Sequence, residues 1–266
     1  MSFQPIVPST GLVGWRFLQR TYDAQFEAFN ASAKLQRDTE YFDEKIGDIR
    51  TAEDLVKDRR LLSVALGAFG LQDDINNRFF IQKILEDGTN NDDALANKLT
   101  DDRYQKLSKA FGFGPGETRT TMNTEKMAEV RDLYRTQSFE VSVGEQDETM
   151  RIALYAQREL QALANETSSE KAKWFSLMGL PPLRAMFETA LGLPKAFGQI
   201  DIDQQYEIFR GKTQAVSGNN TVSQFTDPDL IAEFTNRYLV RSQIAGMNAG
   251  NSSASNALTL LQSAGF

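Results

Sequence analysis

Apolar residues recur at steps of three and four along most of the chain, the spacing that lines one face of an α-helix. Trp15, Leu18, Tyr22, Phe26 and Phe29 open the series and predict a helix whose aromatic stripe faces a core. Thr51-Ala52-Glu53-Asp54 reads as a capping box with Asp in place of the usual Glu or Gln, leading into a helical run that reaches Ala68 and stops at Gly70. Phe79, Phe80, Ile84 and Leu85 mark a helix ending at Asp87-Gly88, and Thr100 caps a short one ending near Ala110. Met127, Val130, Leu133 and Tyr134 resume the pattern. After an interruption at Val141-Ser142-Val143-Gly144, a second long helix carries Ile152, Ala153, Ala156, Leu160 and Leu163. Trp174, Phe175, Leu177 and Met178 form a short helix ending at Gly179, and Pro181-Pro182 opens the next. Asp227-Pro228 opens a final long helix with Leu230, Phe234 and Tyr238 on one face. Only residues 140–143 read as extended, so the expected fold class is all-α, a multihelical array.

Glycine and proline punctuate this array. Gly112-Phe113-Gly114-Pro115-Gly116 is the strongest break and divides the chain, on this reading, into a helical subdomain at 13–116 and a second at 117–247. Residues 1–12 form a Pro-punctuated N-terminal tail, and 248–266 a flexible small-residue linker with an apolar C-terminal peptide. Ala-Phe-Gly occurs at Ala68-Phe69-Gly70, Ala110-Phe111-Gly112 and Ala196-Phe197-Gly198. Four Phe-Gly dipeptides are present, where 18 Phe and 18 Gly predict about one by chance. A phenyl plug before a glycine helix stop explains the recurrence most simply; two related helical units, 61–74 and 183–201, are the alternative.

Composition narrows the chemistry. Hydrophobic residues make up 41% and Phe outnumbers Trp by 18 to 2, so phenyl burial between helices carries much of the packing. The net charge of -7 disfavours nucleic acid as a partner. No stretch is apolar for the roughly 18 residues a membrane helix needs. Residues 1–13 lack the basic and apolar regions of a signal peptide, which predicts a cytoplasmic chain or one exported without a cleaved signal. The sequence has no Cys and no His, which removes thiolate nucleophiles, disulfides, Ser-His arrangements and the commonest metal ligand.

The remaining constellations have structural readings. Gly112–Gly116 follows a helix, and Glu117-Thr118 stands where a phosphate loop needs Lys-Ser/Thr. Residues 87–98 look like a calcium loop, but the sixth position is Asp92 rather than Gly and the twelfth is Lys98 rather than Glu. Asp73-Asp74, Asp101-Asp102 and Asp201/Asp203 stand where helices begin, as helix-capping acids do. Asp58-Arg59-Arg60 and Asp101-Asp102-Arg103 read as ion pairs. No catalytic, cofactor-binding or metal-binding residue is assigned. The C-terminal peptide is different: Leu258, Leu260, Leu261 and Phe266 either fold back onto the core or form a tethered partner-binding segment.

The runs Gly14-Trp15-Arg16-Phe17-Leu18-Gln19-Arg20-Thr21, Asp58-Arg59-Arg60-Leu61-Leu62, Ala65-Leu66-Gly67-Ala68-Phe69-Gly70-Leu71 and Ala110-Phe111-Gly112-Phe113-Gly114 resemble those of the bacterial domain-of-unknown-function family 1217. The similarity extends to Ala257-Leu258-Thr259-Leu260-Leu261-Gln262. The resemblance implies a multihelical fold and genes often placed near flagellar genes, and brings no catalytic residues. The expected function is a non-catalytic helical interaction or assembly protein associated with the flagellum, with flagellar proteins as partners. The alternatives are an enzyme independent of His and Cys acting on a small anionic metabolite, and an exported flagellar subunit.

Overall fold

The computed structural model describes the backbone of residues 3–263 and the side chains of residues 3–247. Among the described residues there are thirteen α-helices and no strand. They are α1 (Gly11–Asn30), α2 (Ala33–Lys45), α3 (Ala52–Lys57), α4 (Arg59–Ala68), α5 (Arg78–Asp87), α6 (Leu95–Lys98), α7 (Asp102–Phe111), α8 (Thr124–Gly144), α9 (Glu148–Ala164), α10 (Glu170–Gly179), α11 (Pro181–Leu191), α12 (Ile202–Ser217) and α13 (Pro228–Ser263). Two compact units form. Unit 1 comprises Met1–Ile6, Arg20–Gln146 and Met178–Pro181, and unit 2 comprises Val7–Gln19, Asp147–Leu177 and Pro182–Phe266.

Unit 1 is built around α4, whose Leu61, Leu62, Val64, Ala65, Leu66 and Ala68 are buried and which packs on α2 and α8. A Cβ on Gly67 would meet the Tyr134 ring at 2.7 Å, so only glycine allows α4 this approach to α8. The capping box forms: Thr51 Oγ1 accepts from Asp54 N at 3.1 Å, and an Asp54 carboxylate oxygen accepts from Thr51 N at 3.0 Å. The single run expected to reach Ala68 is instead two helices. Asp58 leaves the helix at φ -85, ψ 100, and its carboxylate caps α4 through the N–H groups of Arg60 at 2.9 Å and Leu61 at 3.0 Å. Asp101, rather than Thr100, caps α7.

Residues 140–143 are helical, within α8. Their β-branched residues are overridden by packing, because Phe139, Glu140 and Val143 lie on the buried side of that helix. Phe139 meets Tyr22, Phe26 and Phe29 edge-on at centroid distances of 5.3, 5.5 and 5.6 Å. The stripe on α1 therefore serves two cores: Tyr22, Phe26 and Phe29 belong to unit 1, whereas Trp15 and Leu18 belong to unit 2.

The Gly-Pro cluster at 112–116 lies inside unit 1, and the chain changes unit between Gln146 and Asp147. The reason is local stitching. The Glu117 carboxylate accepts from Thr89 N at 2.6 Å and from Gly114 N at 3.3 Å, while Thr120 N donates to Phe111 O at 3.1 Å. Gly112 ends α7 at φ 62, where a Cβ would lie 2.3 Å from Thr118 O. Two Ala-Phe-Gly triads thus end helices, at Gly70 and Gly112, with φ of 70 and 62. The third lies within a 3-10 turn, Lys195–Gln199.

Unit 2 places α13 against α9. Its core is aromatic, with Trp174, Phe187, Phe209, Phe225 and Phe234 all buried. Burying each of these phenyl side chains stabilises the unit by roughly 1.5–3 kcal/mol.

Candidate interaction surface

Asp227 starts α13 by accepting from Asp229 N at 2.9 Å, with Pro228 in the first helical position, where its missing N–H costs nothing. Ile231, Phe234, Thr235, Tyr238 and Leu239 are buried, which anchors the first three turns in unit 2. Burial lifts the Tyr238 phenol to about 12. The helix then loses its cover. From Val240 to Met247 every residue except Ser242 is exposed, including Val240 at 38%, Ile244 at 52% and Met247 at 59%.

These three apolar residues stand at steps of four and three, so they share one helix face. The backbone continues as helix to Ser263, about 35 Å beyond Val240 at 1.5 Å per residue. A flexible linker was expected at residues 248–255, yet helix crosses that stretch. Gly250 lowers helix propensity there, but no proline interrupts the hydrogen-bond ladder. Leu258, Leu260 and Leu261 lie where only the backbone is described, and Phe266 lies outside the described residues altogether. Val240, Ile244 and Met247 were not singled out from the sequence. Their spacing was readable, but it lies on the side of the helix opposite buried Phe234 and Tyr238, and only the fold shows that this side is uncovered.

Unit 1 holds a second candidate, a cavity of about 330 Å³ lined in part by Phe29, Leu35, Asp38, Tyr134 and Gln137. Tyr134 makes a long hydrogen bond of 3.5 Å to Asp38, and burial lifts its phenol to about 12. It therefore acts as a donor near neutral pH and not as a base.

In unit 2, buried Lys173 donates to Ala164 O at 2.8 Å and to Ser223 Oγ at 2.7 Å. Glu170 accepts from Val222 N at 2.6 Å and from the Ser223 hydroxyl. A Ser-Lys pair can serve nucleophilic catalysis, but here the lysine closes the last turn of α9 and the serine proton is held by Glu170. The cluster ties α9 and α10 to the turn before α13. The paired acids are similarly engaged: Asp101 grips Arg103 through Nη2 at 2.7 Å, Asp74 accepts from Tyr104 OH at 2.6 Å, and Asp201 caps α12 through Asp203 N at 2.9 Å. In the stretch that resembles a calcium loop, Asp87 pairs with Lys83 at 2.6 Å and Asp93 with Lys98 at 2.8 Å.

A family model described as a protein of unknown function, DUF1217, matches residues 68–231, more than half of the 266-residue chain. The chain belongs to this family. The DUF1217 match ends at Ile231, before the exposed face of α13 begins. The crystal structure of protein AGR_C_984 from Agrobacterium tumefaciens is similar in fold, with a TM-score of 0.72 over 91% of this chain and 99% of that one at 24% identity. No curated protein matches the chain.

Proposed function

We propose that the protein is a non-catalytic helical interaction or assembly protein, and that the exposed face of α13 is its docking surface. The observation that carries this reading is the stripe Val240, Ile244 and Met247, held on a helix that extends past the core anchoring it. An isolated helix gains little from intrinsic propensity in water, and an apolar stripe at this spacing is the form in which helices recognise grooves or other helices. The use of the paired acids as caps and ion-pair partners supports the non-catalytic half of the reading. The sequence resemblance to a family often encoded near flagellar genes makes flagellar components the first partners to look for. Affinity capture of the tagged full-length chain from the cells that make it, beside the Ile244→Asp variant, tests the reading. Flagellar proteins recovered with the unmodified chain and lost with the variant are the expected result. The same proteins recovered equally with both would overturn it.

A further inference from the structure

We infer that the partner of the α13 face is the same helix of a second copy of this chain, aligned parallel and in register. This inference rests on the docking role proposed above and names the occupant. The steps of four and three that begin at Val240, Ile244 and Met247 continue without a slip in the sequence through Asn251, Ala254, Leu258 and Leu261. That is an a/d heptad seam, with Ile244, Asn251 and Leu258 at a and Val240, Met247, Ala254 and Leu261 at d, and such a seam is completed by another helix rather than by a flat surface or a groove for a single turn.

Two features select an identical helix. A lone asparagine at an a position inside an otherwise apolar seam is satisfied when an asparagine faces it at the same level, and a parallel second copy supplies one at Asn251. Charge points the same way. The chain carries a net charge of -7, yet the sequence after Arg241 contains no Asp, Glu, Lys or Arg. The positions flanking the seam from there on therefore neither repel a second copy nor offer charges that would select an unlike partner.

The chain has no cysteine, so a single introduced thiol reports proximity without background. Sedimentation equilibrium of the purified full-length chain should give twice the 29.8 kDa chain mass, returning to 29.8 kDa in Ile244→Asp with the far-ultraviolet helix signal of the folded units retained. Under mild oxidation, Ala254→Cys at a d position should cross-link to a dimer, and Asn256→Cys on the outer face should not. A chain that sediments at 29.8 kDa overturns self-pairing, while the capture experiment above still decides whether the face docks another protein. A dimer in which Ala254→Cys fails to cross-link, or cross-links no better than Asn256→Cys, overturns the parallel register.

Discussion

Phe187 is the hub of the aromatic core of unit 2, and its truncation gives a direct measure of what that core contributes. The residue is fully buried, with ring centroids 5.4 Å from Phe234, 5.5 Å from Phe225, 6.1 Å from Trp174 and 6.4 Å from Phe209. Phe187→Ala removes the phenyl from water-free surroundings and leaves a cavity whose aromatic walls cannot readily collapse, so about 4 kcal/mol is expected, within the range for such truncations. That is a large share of the roughly 5–15 kcal/mol by which domains are stable. Both tryptophans, Trp15 and Trp174, belong to unit 2, so tryptophan fluorescence follows the unfolding of that unit in urea. With a slope of about 2 kcal/mol per molar urea, the midpoint should fall by about 2 M. Phe187→Leu, which keeps most of the volume, should cost about 1.5 kcal/mol. A shift below about 0.5 M for Phe187→Ala, with the slope unchanged, would refute the idea that this ring organises the core.

Other perturbations test the local reasoning. Thr51→Ala breaks the capping box of α3 and should cost about 1 kcal/mol in urea unfolding. Lys173→Met keeps the side-chain length but leaves the Ala164 carbonyl and Ser223 without their donor, and should destabilise unit 2 by about 1–3 kcal/mol, read by the same fluorescence. Burial raises the phenols of Tyr134 and Tyr238 from 10.0 to about 12. Their contribution to stability is therefore complete below pH 10 and is lost as pH rises through 12, so phenolate absorbance should show these two ionising late and alkaline unfolding should accompany them. Asp54 is shifted down, chiefly by its hydrogen bond with Thr51, so its contribution is present above its ordinary value of 3.8 and fades as acid takes pH below that. Thr51→Ala should flatten this acid dependence of thermal unfolding.

The helical class was legible because strong three-and-four spacing covers most of the chain and because caps such as Thr51 and Asp227 are local signals. What failed were readings that depend on distant packing. Residues 140–143 look extended in isolation, and become helix because Phe139 and Val143 find a core on one side of α8. The Gly-Pro cluster looks like a boundary, and is instead stitched to Thr89, a residue far back in the sequence, through Glu117. The break at Asp58 was hidden because its Asp-Arg sequence suits both an ion pair and an N-cap. For the interaction surface the signal was only half visible: Val240, Ile244 and Met247 keep helical spacing but lie on the side of α13 opposite buried Phe234 and Tyr238, and the sequence does not state which side is covered. The Lys173 cluster had no signature at all, since its partners Ala164 and Ser223 come together only in the fold.

The most direct test of the docking face compares two neighbouring charge substitutions on α13 in affinity capture. Ile244 lies on the apolar seam, whereas Ala245 is exposed and one step around the helix from it. The account predicts that Ile244→Asp loses the bound partner, whether a second copy or another protein, and that Ala245→Asp retains it. Equal retention by both variants, or equal loss, would contradict it.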